Sequence, residues 1–450
     1  MPPTDTTATG IQLQELQGTN LTQRDAHDRS RPQQPASDPV LEASRLADSD
    51  VPDGGYGWVV IACCAVVTWW FVGTSYSWGV IQAELVKRGV SSPPVLSFVG
   101  SMGPTMMASF AIINGRVIRI IGVRLAASIG IGCLGLAEIL AGFTVDNVSG
   151  LFVTAGAMVG IGFGLCFMVV TVTPSQYFSK KRGIANGIVF AGGGFGGATI
   201  SFGLDYLIQA LGTAWGFRIL GLMILATGLP AAWFIRERVP IRTGPLVEWR
   251  LFKSFTFTSI FAAGAIGTFP LFVPPFFLPL YARSLGLSSS TGAGLLAAFN
   301  LSSAVGRILC GFLCDSLGSL NTLFVALILC AMSMLALWPA STSLPALAIF
   351  VVINGLSNGG FFSTVPTVVS NVFGSARVSV AMAMTVTGWG GGYMMGAPIA
   401  GYILDAYGGE QAGLQSYRPA MLYAGSMAAV AAILVLAVRL HLNKRIIAKL

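Results

Sequence analysis

Residues 57–82 read GWVVIACCAVVTWWFVGTSYSWGVIQ, a run with no charged side chain. A helix of that length, rising 1.5 Å per residue, is longer than the roughly 30 Å of a hydrocarbon core. The run therefore reads as a transmembrane helix. Eleven more apolar stretches follow, at about 95–115, 123–144, 150–173, 184–210, 217–235, 256–282, 290–313, 321–339, 344–370, 376–403 and 420–441. Of the 450 residues 54% are hydrophobic and only 10% charged, which excludes an ordinary soluble domain. The expected fold class is an all-α membrane protein with twelve transmembrane helices.

Charge is distributed unevenly. Residues 1–52 are rich in Thr, Asp, Gln, Ser and Pro, contain no apolar run, and are net acidic, so they are expected to form a disordered tail. The basic pI of about 9.3 then belongs to the membrane body rather than to a nucleic-acid-binding arm. Seventeen basic residues, among them Arg116, Arg119, Arg124, Lys180, Lys181, Arg182, Arg236, Arg307 and Arg377, fall at one set of turns, and five at the other. Lys and Arg beside short loops are retained in the cytosol, so both termini are expected there, in a multi-pass protein of the plasma membrane. The longest break, about 237–255, divides a first bundle at 53–236 from a second at 256–441, with 442–450 as a C-terminal tail. Within that break, Pro245 to Phe255 interleaves apolar and basic residues as an interfacial helix would.

Only two histidines occur, His27 and His441, so no His-based metal site or catalytic triad is expected in the body. The seven cysteines lie in apolar runs and read as small hydrophobes. No cofactor and no metal are expected, no phosphate-binding GxxxxGK[ST] loop is present, and the chain does not read as an enzyme.

An offset of 196 residues superimposes Gly115 on Gly311, Gly122 on Gly318, Lys181 on Arg377, Gly192 on Gly388 and Gly196 on Gly392. Two such six-span repeats suit a transporter, whose halves rock about a central site to give alternating access. A receptor or membrane enzyme has no comparable need for this symmetry.

Three motifs stand at the turns. Asp53, Gly54, Gly55, Tyr56, Gly57 and Trp58 precede the first span, where Asp53 can cap the helix and the two aromatic rings favour headgroup depth. Tyr177 to Gly196 reads YFSKKRGIANGIVFAGGGFG. Gly306 and Arg307 are followed by Gly311, Asp315 and Gly318. Together these motifs and the span plan resemble the monocarboxylate porter family of the major facilitator superfamily, most closely its fungal branch, over about residues 53–441. The chain departs from proton-coupled members of that family: no Lys lies between Trp58 and Gln82, and Ser303 stands four residues before Arg307, where such carriers have Asp. These departures argue against lactate-type proton symport. Arg119 occupies the repeat position of Asp315, so the loop latch of the two halves is expected to be asymmetric.

Charge inside a membrane is costly, which makes each instance a candidate site. Arg307 can hold a carboxylate through its planar fork, or it can serve the loop motif with Asp315. Glu138 in span three can carry a coupling proton or make a structural hydrogen bond. Asp205 and Arg218 are expected to form an ion pair at the opposite end. By resemblance, spans one, four, seven and ten line the cavity, offering Tyr76, Trp78, Phe163, Phe167, Phe276, Asn354 and Asn358 as substrate contacts. Pro270, Pro274, Pro275 and Pro279 should kink span seven, and the four-residue glycine spacing in spans five and eleven should allow close helix contact. The resulting expectation is a secondary transporter of a small organic anion or carboxylated metabolite, with protons as a candidate co-substrate and the lipid bilayer as its surroundings. Export of a secondary metabolite and facilitated passage of an uncharged nutrient stay open, as does a substrate-sensing receptor on a transporter fold. The sequence assigns no accessory subunit.

Overall fold

A computed structural model describes residues 51–91, 93–238, 247–374, 377–409 and 413–444. The expected tail up to residue 50, Pro245 and Leu246 of the linker, and the last residues of the C-tail lie outside these. Among the described residues nine helices are long and apolar enough to cross a membrane. They coincide with expected spans one, three to six, eight to ten and twelve, from Tyr56–Gln82 to Leu414–Leu442.

The other three expected spans are interrupted. Span two consists of Pro93–Ser109 and Ala111–Ile121, with a kink at Phe110. Span seven consists of Phe255–Gly267 and Val273–Ser284, joined by turns that include Pro270. Pro270, which has no N–H to donate, lies in this break, and Pro274 opens the second helix at a position where its missing N–H is tolerated. Span eleven consists of Val378–Thr387 and Gly390–Ala406, with the break at Gly388 and Trp389. Spans four, six and nine stay continuous but each contains a wider π turn, at Phe152–Met158, Ile224–Gly228 and Ser333–Leu337. Part of the amphipathic linker forms a short 3₁₀ turn, Trp249–Lys253, with Leu251 buried and Trp249 exposed.

The internal repeat appears in backbone geometry. Gly122 and Gly318 make one-residue turns with φ of 81° and 100°. This left-handed region is one a side chain rarely occupies, and it lets two helices follow each other directly. Helix packing repeats as well. A Cβ on Gly192 would stand 2.3 Å from the Ala65 carbonyl oxygen, and one on Gly388 would stand 2.9 Å from the Phe261 ring, both members of the second pair shifted by 196. Span five thus lies against span one, and span eleven against span seven, as the glycine spacing predicts.

Candidate functional site

Two sites form where the halves meet. The first is a cavity between them. Its walls come from Phe71 and Tyr76 of span one, Met107 of span two, Phe163 and Phe167 of span four, Phe190 of span five, Phe272 of span seven, Arg307 and Phe362 of spans eight and ten, and Tyr393 of span eleven. The empty space is about 470 Å³, but a water molecule can occupy only about 50 Å³ of it. In this conformation the cavity is narrower than the 300–1,000 Å³ usual for organic ligands.

Arg307 is 1% exposed and is the cation lining this cavity. One terminal nitrogen donates to the Phe190 carbonyl at 2.7 Å and the other to the Tyr76 hydroxyl at 2.9 Å. Its Nε is buried with no hydrogen-bond partner. Both acceptors are neutral and belong to the first half, whereas Arg307 belongs to the second. The guanidinium therefore ties the halves together without any counter-charge, beside the rings of Tyr76 and Phe362 at 5.9 and 5.4 Å. Arg307 does not pair with Asp315: its two terminal nitrogens are committed to Phe190 and Tyr76, and the Asp315 carboxylate holds the backbone of Gly183 and Ile184.

Of the expected substrate contacts, Tyr76, Phe163, Phe167 and Arg307 share the cavity. The others lie elsewhere. Trp78 donates to the Leu96 carbonyl and packs over Gly100 of span two. Asn354 donates to Ser333, at the start of the π turn in span nine. Asn358 donates to the Leu271 carbonyl in the break of span seven, and Phe276 is 54% exposed, outside the cavity. Both amides are buried, and each holds an irregular stretch of a neighbouring helix. Met107, Phe190 and Tyr393 were missed because only spans one, four, seven and ten were expected to line the cavity; Phe71 and Phe362 lie on two of those spans, on faces the sequence did not single out. Tyr393 carried a signal: it is the aromatic residue that directly follows the run Gly390–Gly392.

Glu138 is 5% exposed in span three, and its Oε2 has no partner. The expected structural hydrogen bond is thus missing at that oxygen. The expected Asp205–Arg218 ion pair is also absent. Asp205 accepts from Gln209, whereas Arg218 donates to the Gly142 carbonyl and covers the Phe143 ring at 4.1 Å.

The second site lies at the end of the bundle that carries most of the basic turns. Here the start of span five, Arg182–Leu211, meets two carboxylates. Asp53 Oδ1 accepts from the backbone N–H groups of Ser179, Lys180 and Lys181 at 2.8, 2.9 and 3.2 Å. It clasps the loop before span five instead of capping its own helix. Asp53 takes a φ of 49° to do so, an uncommon conformation for a residue with a side chain. Trp58 supports the clasp by packing on Phe178 with ring centroids 4.7 Å apart. Gly54 and Gly57 sit in the same turn, and a Cβ on Gly57 would stand 3.0 Å from Tyr177 and Phe178.

From the other half, Asp315 accepts from the N–H groups of Gly183 and Ile184 at 2.7 and 2.8 Å. A helix start exposes unpaired N–H donors and positive potential, so a carboxylate fits there. Two glycines allow this approach: a Cβ on Gly183 would lie 2.3 Å from the Gly311 carbonyl oxygen, and one on Gly311 would lie 2.5 Å from that of Gly183. Arg182 extends the joint by donating to Asn371, and Asn186 by donating to Thr367. Gly318 only turns the chain after this segment.

A helical bundle in two repeats, with a closed joint at one end and a buried cation in an aromatic cavity between the repeats, defines a membrane carrier of small molecules. The family profile described as "Major Facilitator Superfamily" matches residues 58–343 and 261–447. The chain belongs to that superfamily: it is a multi-pass membrane transporter, not an enzyme. It is 27% identical to the aspyridones efflux protein apdF of Emericella nidulans, over 80% of this chain and 74% of that protein. It is 26% identical to the agnestins efflux protein AgnL12 of Paecilomyces divaricatus, over 87% and 89%. In fold it is similar to a bacterial homologue of the iron transporter ferroportin, solved in an outward-facing state, with a TM-score of 0.68 at 13% identity, covering 86% of this chain and 100% of that one.

Proposed function

We propose that the protein is a secondary transporter that carries an acidic, largely apolar organic metabolite, by alternating access, out of the cell across the plasma membrane. The observation that supports this reading is Arg307, an unneutralised guanidinium in a cavity of aromatic rings between the halves. A carboxylate or acidic phenol would supply the missing counter-charge and displace the Tyr76 hydroxyl, while the rings take the apolar body. The curated names of the two fungal relatives, both efflux proteins, support export. In this reading the bundles 53–236 and 256–441 rock about the cavity, linked by 237–255, and the basic end with both termini faces the cytosol. The motifs at Asp53 and Tyr177 support placement among the monocarboxylate porters. Glu138, with its unpartnered oxygen, is the candidate proton carrier.

Counterflow in proteoliposomes with 2-naphthoate and its neutral amide tests this. Lys at position 307 keeps the charge but loses the planar fork. The Arg307→Lys variant is expected to weaken the acid at least tenfold and the amide less than threefold. Equal losses for both would remove Arg307 from substrate binding.

A further inference from the structure

At the basic end, outside the cavity and the joint, a groove of about 680 Å³ opens between the start of span three and the end of span six. Its polar rim is formed by Arg124, Arg236 and Glu237. Neither guanidinium is bonded to a carboxylate among the described residues. Each instead lies against an aromatic ring, Arg124 over Trp233 at 5.1 Å and Arg236 over Tyr56 at 5.4 Å. Gly122 keeps the floor open: a Cβ there would stand 3.1 Å from Glu237 Oε1. The other wall is apolar and outward-facing, with Leu125 52% and Trp233 63% exposed.

A groove that is charged at the helix ends and apolar along the helices matches an amphiphile whose tails lie on the protein's lipid-facing surface. Free phosphate would leave the apolar wall unused. The charges identify the headgroup, since two fixed cations and one fixed anion require two anions and one cation in return. We propose that this groove binds one molecule of phosphatidylserine. Its phosphate and carboxylate pair with Arg124 and Arg236, its ammonium with Glu237, and its acyl chains follow Leu125 and Trp233. Phosphatidylglycerol has no ammonium for Glu237, phosphatidylethanolamine has no second anion, and phosphatidylcholine has neither a second anion nor an N–H donor.

Native mass spectrometry of the purified full-length protein, titrated separately with these four lipids and with inorganic phosphate, reads this directly. Phosphatidylserine is expected to bind at least fivefold tighter than the other three, and inorganic phosphate should not displace it. The double variant Arg124→Gln, Arg236→Gln should reduce phosphatidylserine to the level of phosphatidylcholine. Glu237→Gln should abolish the preference for phosphatidylserine over phosphatidylglycerol while retaining binding of both. These side chains lie at the surface, and an unchanged melting temperature verifies folding of each variant. Equal affinity for phosphatidylserine and phosphatidylglycerol in the unmodified protein would overturn the proposal. So would binding that survives the double arginine variant, or displacement by inorganic phosphate.

Discussion

Asp53 and Asp315 hold neighbouring backbone donors on one short stretch of chain, residues 179–184, with similar distances and the same chemistry. They differ in where they come from. Asp53 belongs to the same half as that stretch, so its bonds persist whichever way the halves rock. Asp315 belongs to the other half, so its bonds must break whenever the basic end opens. One carboxylate is therefore a fixed clasp and the other a releasable latch, although the hydrogen bonds themselves look alike. What a bond does in a carrier depends on whether it crosses the moving interface, not on its length.

The largest effect should come from blocking the latched joint. In Gly183→Val the new side chain meets the backbone of Gly311, which cannot yield without moving span eight. Counterflow is expected to fall at least tenfold, while helical content by circular dichroism stays unchanged. Retention of normal transport would show that the joint is not part of the cycle.

Exchanging the two carboxylates for alanine tests the comparison itself. Asp53→Ala loses charge-assisted bonds that are present in every state, and should cost about 2–3 kcal/mol of stability, read as a lower melting temperature. Asp315→Ala should barely move the melting temperature. It should, however, raise labelling of a cysteine introduced at Ser379, which is buried against span two at the counterpart joint of the same end, severalfold, because the basic end opens more often. If Asp315→Ala destabilises as much as Asp53→Ala, the distinction between clasp and latch is lost.

The smallest effect concerns the asymmetric repeat. Arg119 stands where symmetry would put a second Asp315, facing the start of span eleven, Val378–Thr387. Arg119→Asp would offer a carboxylate to that helix start, an interaction worth about 0.3–1 kcal/mol. Labelling at the basic end should fall by less than fivefold. An increase in labelling would mean that Arg119 already stabilises the closed state.

Much of this architecture could be read from the chain because hydrocarbon imposes a length and forbids charge. Nine spans coincided with the apolar runs, and of the four prolines of span seven Pro270 stands in its break while the other three sit in the helix that follows. The kink at Phe110 and the π turns left no such trace, since hydropathy does not record which carbonyl a given N–H chooses. In the site, Arg307 stood out as a buried cation, and Phe163 and Phe167 followed from their helix. Phe190 and Tyr393 were hidden inside glycine-rich helices read only as packing surfaces. The partner of Asp53 lies 126 residues away, a pairing that no local capping pattern can reveal.

The narrowness of the aromatic cavity bears on the membrane rather than on the cargo. In this conformation the rings of the two halves close on one another: Phe167 of the first half reaches Trp389 of the second at 5.9 Å, and the remaining space holds only a few water molecules. In this conformation the packed rings interrupt any file of water between the two faces of the membrane. A carrier in this conformation thus leaves intact the voltage and pH differences that other carriers of the same membrane use.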